Sequence, residues 1–170
     1  MSALSPSKST TGSGHSVLYK NVPASPNKTY MACIQLASDL GVVSNSHQTG
    51  LAVRNNSNGK VVVFTASSNS QLTFTVVEWT TTTSFNSVLY TTTGSPPAVF
   101  SNYIVLAINF DGTNLSFRYS PYYNGSESNF IEIYTTTVAA FLGSFDSWGL
   151  TIFKNAGTLN TLYCDWLRVV

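Results

Sequence analysis

The chain has 170 residues, of which 43% are hydrophobic and only 9% are charged, and its formal net charge is +1. An average soluble domain has about 25% charged residues, so Ser, Thr and Asn must cover most of this surface. The few Lys and Arg residues are scattered, which excludes nucleic acid as a main partner because no basic cluster could neutralise several phosphates. No segment is long and apolar enough to be inserted in a membrane. We expect one domain that assembles with other proteins or binds neutral ligands such as sugars.

The N-terminal segment, residues 1–16, is rich in Ser, Thr, Gly and Pro and has no apolar periodicity. This composition predicts a short flexible arm. The segment also lacks the apolar run of a secretory signal peptide, so we expect synthesis in a cytoplasm without a signal peptide. Residues 17–170 are predicted to form the folded domain.

From residue 17 onward, short alternating segments are separated by turn residues about every 8–12 positions, which is typical of an all-β sandwich. Strong turn signals occur at Asn55–Gly59 and Asp111–Asn114, because Asn and Gly tolerate a positive φ. Val138–Leu142 is predicted to form a single helical turn. The predicted strands are 17–22, 30–37, 50–54, 60–66, 71–78, 86–92, 103–110, 114–119, 130–134, 148–154 and 160–169.

The alternation also predicts which side chains face the core. These are the apolar residues Ile104, Leu106, Ile108, Leu115, Phe117 and Leu150. The two cysteines, Cys33 and Cys164, fall in early and late strands and are flanked by apolar or aromatic residues. We expect two buried free thiols; a disulfide is the alternative, because first and last strands are often neighbours in sandwiches.

Five segments follow one another in a characteristic order. They are GLAVRNNSNGK (50–60), LTFTVVEW (72–79), the paired strands of 104–119 continuing into SPYYN (120–124), WGL (148–150) and DWLRV (165–169). In this order they resemble a concanavalin A-like (laminin G-like) jelly-roll domain. The resemblance implies a jelly-roll β-sandwich of two antiparallel sheets, similar to domains of phage virion proteins and to carbohydrate-binding modules.

The acidic residues bear on catalysis. Polysaccharide hydrolases of this class carry alternating acids on one strand, because one carboxylate protonates the leaving oxygen while another attacks or activates water. No two of the seven acids here lie at positions i and i+2 of one strand, so the prediction is that the protein is not an enzyme and has no catalytic residues. Two carboxylates from different strands are the alternative. Both histidines, His15 and His47, are expected at the surface.

Aromatic residues near turns are the candidates for sugar binding, since exposed rings stack on pyranose faces. The first candidates lie in one stretch, Tyr119, Tyr122, Tyr123 and Asn124. The second candidates are Trp79 and Trp148, at predicted strand ends. The alternative is that Tyr119 packs inside the domain and the other two tyrosines form a protein interface.

The resemblance also implies a structural Ca²⁺ at Asp165, although a hydrogen-bonding role for this residue is the preferred interpretation; no metal site or other cofactor is predicted.

The functional prediction is a non-catalytic bacteriophage virion surface protein that decorates the capsid or belongs to a tail or fibre. Its partners would be a coat, tail or fibre protein and cell-surface glycans, with a homo-oligomer left open. The alternative is a stand-alone carbohydrate-binding module or a polysaccharide-degrading enzyme.

Overall fold

The computed structural model describes residues 2–4, 14–21, 24–35, 48–69, 71–92, 103–121, 123–154 and 162–170. They form an all-β jelly-roll sandwich of two antiparallel six-stranded sheets. The strands are β1 (Ser2–Leu4), β2 (Gly14–Asn21), β3 (Lys28–Gln35), β4 (Thr49–Arg54), β5 (Val61–Asn69), β6 (Gln71–Thr81), β7 (Ser84–Thr91), β8 (Tyr103–Phe110), β9 (Asn114–Ser120), β10 (Ile131–Thr137), β11 (Ser147–Lys154) and β12 (Leu162–Val169).

Sheet 1 has the strand order β1-β12-β3-β8-β9-β10, and sheet 2 has the order β2-β11-β4-β5-β6-β7. A 3₁₀ turn at Glu127–Asn129 and one helical turn, α1 at Val138–Phe141, complete the described elements. The predicted fold class and the predicted helical turn are confirmed. The strands agree with the predicted ones to within a few residues, except for β1, which the sequence analysis did not anticipate.

Parts of the segment predicted as an arm lie in strands. Ser2–Leu4 pairs with Leu162–Cys164 of β12, and β2 already begins at Gly14. Residues 5–13 lie outside the described part of the chain. The arm therefore has at least one ordered contact with sheet 1, while its role stays a prediction.

The main core lies between the two sheets, as the alternation of apolar residues requires. All six predicted core residues are buried there. Aromatic pairs join the sheets: the ring of Phe74 in sheet 2 stacks on Tyr119 in sheet 1 at 4.2 Å, and Trp148 lies 5.1 Å from Tyr30. Each outer face carries a further, smaller apolar cluster.

The cysteines are free, as expected. Cys164 is part of the main core, whereas Cys33 lies in the cluster on the outer face of sheet 1. The two thiols therefore lie on opposite faces of the same sheet, which prevents a disulfide although their strands are paired. Burial raises the pKa of Cys164 to about 11, so this thiol stays protonated at neutral pH.

Candidate functional site

The outer face of sheet 1 brings together side chains that are far apart in the sequence. The strand register places Trp166, Cys33, Val105 and Ser120 next to one another across four strands. Directly paired residues share a face of the sheet, so these four side chains form one row. Cys33 and Val105 are buried even though the row faces away from the main core. Something must therefore cover them.

The cover comes from the segment that joins β9 to β10. Pro121 ends the β9 pairing, Gly125 adopts a positive φ of 97°, and the Asn124 side chain accepts a hydrogen bond from the Ser126 amide at 3.1 Å. These features turn the chain back, and Tyr123 packs on the face of the sheet. Its ring centroid lies 5.7 Å from that of Trp166 and 5.4 Å from that of Phe130.

Between this segment and β12 lies a pocket of about 280 Å³. Three half-buried aromatic residues contribute to its wall, and a serine hydroxyl lies in its lining. The full lining is Cys33, Tyr103, Val105, Ser120, Pro121, Tyr123 and Trp166. Ser120 is only 1% exposed, and its Oγ has no hydrogen-bond partner among the residues that the structure describes. A buried hydroxyl without a partner costs free energy on folding, so Ser120 is an unsatisfied polar residue in the pocket lining.

An arginine borders the pocket. The Arg168 guanidinium lies over the rings of Trp166 and Tyr123, at 4.8 Å and 5.1 Å from their centroids, and donates a hydrogen bond to the Tyr123 hydroxyl. Such cation–π contacts hold a planar guanidinium in place. In the pocket lining, burial, and secondarily the Asp165 carboxylate, raises the pKa of Cys33. The Cys33 thiol is therefore neutral and unreactive at physiological pH.

The predicted site residues are separated by the fold. Tyr123 lines the pocket and Asn124 is exposed next to it, whereas Tyr122 lies outside the described residues. Tyr119 is only 2% exposed and packs between the sheets, because alternation along β9 turns it to the inner face. Tyr119 therefore lies inside the domain, the location that the alternative interpretation gave it.

The two predicted tryptophans also lie away from the pocket. Trp148 is 2% exposed in the main core. Trp79 lies in the outer cluster of sheet 2, where its ring is covered by His15 at 5.0 Å, Phe153 at 6.1 Å and Phe85 at 5.7 Å. Both side chains are buried, at 2% and 7% exposed, so the structure places these two predicted site residues away from the pocket. The surface location expected for His15 is wrong, since this residue is 5% exposed.

The sequence analysis missed Tyr103, Ser120, Trp166 and Arg168 as site residues. One usable signal was present, because Trp166 and Arg168 are two positions apart on the last strand and therefore share a face. The sequence does not show that β12 pairs with β3. This pairing places Trp166 beside Cys33 and close to the β9–β10 segment.

No family model matches the chain, and no curated protein sequence matches it. Similarity appears among solved structures. The GH43 BlXynB protein from Bacillus licheniformis has a TM-score of 0.60 at 13% identity; the match covers 86% of this chain, which spans only 28% of that one. The Bacteroides ovatus mixed linkage glucan PUL GH16, solved in complex with a product, has a TM-score of 0.56 at 9% identity, covering 86% of this chain and 70% of that one. A human galectin-16 variant has a TM-score of 0.53 at 9% identity, covering 90% and 94%.

These likenesses show the fold and no more, given identities below 25%. They agree with a concanavalin A-like jelly roll whose relatives in structure include carbohydrate-active proteins. The prediction that the protein is not an enzyme is contradicted, because glycoside hydrolase chains share this architecture. The likeness is one of fold alone and identifies no catalytic residue in this chain.

The described part of the chain contains no cluster of three or more His, Cys, Asp or Glu side chains that could share a metal ion. No helix in it has the length and apolar character needed to span a bilayer. The Ca²⁺ hypothesis for Asp165 stays a prediction; this residue lies at a bulge in β12, between Cys164 and Trp166.

Proposed function

We propose that the protein recognises carbohydrate through the pocket on the outer face of sheet 1. The observation that carries the proposal is the combination of three aromatic rings, Tyr103, Tyr123 and Trp166, with the unpartnered Ser120 hydroxyl around one pocket. Aromatic faces stack on the C–H face of a sugar ring, and a small number of fixed polar groups orient its hydroxyls. The structural similarity to glycoside hydrolases and galectins supports the same class of ligand.

The size of the pocket limits the ligand. Its volume of about 280 Å³ is at the lower end of ligand pockets, which are about 300–1,000 Å³. It suits one sugar ring, such as a chain end or a side branch, better than a long segment of polymer. We therefore propose recognition of a terminal or branching sugar.

The test is a glycan array followed by titration calorimetry on the glycans that bind. Replacing Trp166 with Ala should weaken binding about tenfold or more, since it removes one wall of the pocket. Phe85→Ala is the matched control: Phe85 is an exposed aromatic residue, at 57%, but lies on sheet 2, and its loss should leave affinity unchanged. Binding of no glycan, or full affinity in the Trp166→Ala protein, would refute the proposal.

Mixtures of the protein with the glycans that it binds also test the alternative that the protein is a hydrolase. Incubated oligosaccharides are separated by chromatography, and shortened chains would show that the protein also cleaves what it binds. Asp165→Asn and Glu132→Gln proteins are then compared with the wild type, because a catalytic carboxylate cannot be replaced by its amide without loss of turnover.

A second proposal concerns the location of the protein. We propose that it acts on the surface of a phage particle, as predicted from the sequence. The observation that favours it is the low charge, 9% of residues, which suits a protein that stays within an assembly rather than free in solution. Cryo-electron microscopy of the source particle tests it. Density for this jelly roll on a coat, tail or fibre protein is the expected result, and a particle that lacks the chain would refute it.

A further inference from the structure

The guanidinium of Arg168 is held in place by two aromatic rings. It lies over the Trp166 and Tyr123 rings and donates to the Tyr123 hydroxyl. Among the described residues, none provides it with an ion-pair partner, and the described pocket lining contains no carboxylate. The side chain itself is exposed, so its remaining N–H donors are available to a ligand.

The other arginine on this face behaves differently. The register aligns Arg168, Met31, Ala107, Arg118 and Glu132 in a second row across sheet 1, next to the row that lines the pocket. Arg118 forms an ion pair with Glu132, with 3.3 Å between Nε and Oε2. It lies three strands from Arg168, about 14 Å at the usual strand spacing. Arg118 is therefore neutralised by Glu132, whereas no described residue neutralises Arg168 beside the pocket.

We infer that the ligand is an acidic saccharide, whose carboxylate binds the Arg168 guanidinium while its ring occupies the pocket against Trp166 and Tyr123. This inference rests on the proposed function. Arginine presents a rigid fork of donors that matches a carboxylate in a bidentate manner. A uronic acid has a carboxylate on the sugar ring, and it thus combines the two features that the site recognises.

Asp165 opposes this binding and provides an independent test. Its carboxylate contributes, after burial, to the raised pKa of the Cys33 thiol in the pocket lining, so its field reaches the pocket. A negative charge close to the pocket weakens the binding of an anion there. Removing it with Asp165→Asn should therefore strengthen binding of an acidic ligand about two- to threefold and leave a neutral ligand unaffected.

The experiment uses matched ligands and calorimetry. The probes are tetramers of galacturonate, glucuronate and mannuronate, each compared with the same tetramer after reduction of its carboxylates to alcohols. We expect at least one acidic tetramer to bind about tenfold tighter than its reduced form. Raising NaCl from about 0.05 to about 0.5 M should weaken that binding, because the arginine is exposed to solvent.

Variants assign the effect to one residue. Arg168→Gln should remove the preference, so that the acidic and the reduced tetramer bind this variant with affinities within about twofold of each other. Arg168→Lys keeps the positive charge but lacks the planar fork of donors. Its preference for the acidic tetramer should lie between that of the wild type and that of Arg168→Gln. Arg118→Gln is the control on the same face and should change neither affinity.

The possible failures are distinct. Equal affinity for acidic and reduced tetramers, or an unchanged preference in Arg168→Gln, would overturn the inference while the proposed sugar binding stands. Binding of no tetramer, acidic or reduced, together with a negative glycan array, would overturn both.

Discussion

His15 shows how a single residue takes its chemistry from its surroundings. The ring is enclosed by Trp79 and Phe153, with centroids at 5.0 Å and 5.1 Å, and its Nδ1 shares a hydrogen bond of 2.8 Å with the Thr151 hydroxyl. Burial disfavours the charged form and lowers the pKa of His15 to about 4. The imidazole is therefore neutral at pH 7 and acts as part of an apolar cluster.

This burial predicts an acid-sensitive fold. Between the ordinary pKa of 6.5 and the folded value of about 4, the unfolded chain binds more protons than the folded one, so stability rises with pH across this window. Lowering the pH from 6.5 to 4 should therefore cost about 3 kcal/mol through this residue. Urea unfolding at several pH values measures this change in the free energy of unfolding.

His15→Phe is the control for the pH effect. It keeps an aromatic ring but cannot be protonated, so its stability should vary less with pH across the same window. Its stability at pH 7 should fall by about 1 kcal/mol through the lost hydrogen bond. An identical pH dependence in both proteins would contradict the role assigned to His15.

At the scale of elements, turns join parts of the chain that strands alone would not connect. The β4–β5 turn contains Asn55, which is buried and bonded in two directions. Its Oδ1 accepts hydrogen bonds from the amides of Ser57 and Asn58, and its Nδ2 donates to the carbonyl of Leu142 at 3.0 Å. One amide side chain thus shapes a hairpin and ties it to the segment after α1.

Replacing Asn55 with Ala should lower the free energy of unfolding by about 2–3 kcal/mol, because buried donors and acceptors lose their partners. Ser57→Ala, an exposed change in the same turn, should stay within about 0.5 kcal/mol of the wild type. Chemical denaturation of the three proteins measures the difference. Equal stability of the two variants would show that Asn55 does not connect the turn to the rest of the fold.

At the scale of the whole molecule, sheet 2 is curled around a core of its own. The His15 amide donates to the carbonyl of Thr82, in the β6–β7 turn, which joins the two ends of the sheet. The apolar cluster enclosed on its outer face is Ala52, Val61, Val63, Val77 and Trp79, with Val17 and Phe153 against it. This cluster fills the outer face of sheet 2, whereas the pocket described above lies on the outer face of sheet 1.

Glycine permits this close packing of backbones. A Cβ on Gly149 would lie 1.8 Å from the carbonyl oxygen of Leu18 in the adjacent strand. Gly149→Ala should therefore lower the stability by about 3 kcal/mol or more, since the backbone itself must move. The measurement is chemical denaturation with circular dichroism.

Gly143→Ala separates crowding from backbone strain. Gly143 has a positive φ of 76° but nothing within 4 Å of the added Cβ, so only strain of about 1–2 kcal/mol is expected. If Gly149→Ala were no more costly than Gly143→Ala, close approach of the strands would not be what requires a glycine at 149.

The sequence by itself determined eleven of the twelve described strands and the inward-facing residues. Alternation predicts β8 as 103–110, as observed, and the side chains of Ile104 and Phe117 are buried as expected. These features depend on local periodicity, which the sequence contains completely. The class of fold follows from them.

Only the tertiary structure decided which aromatic residues reach a ligand. Alternation along β9 already turns Tyr119 inward together with Leu115 and Phe117. Tyr123 lies between β9 and β10, where no strand periodicity applies, so only the folded chain shows that its ring lines the pocket. The pocket also requires that Trp166 lie next to Cys33, and the pairing of β12 with β3 places them there. Strand register between distant segments depends on the packing of the whole sheet. The site is therefore a property of the assembled sandwich, whereas its strands are properties of the sequence.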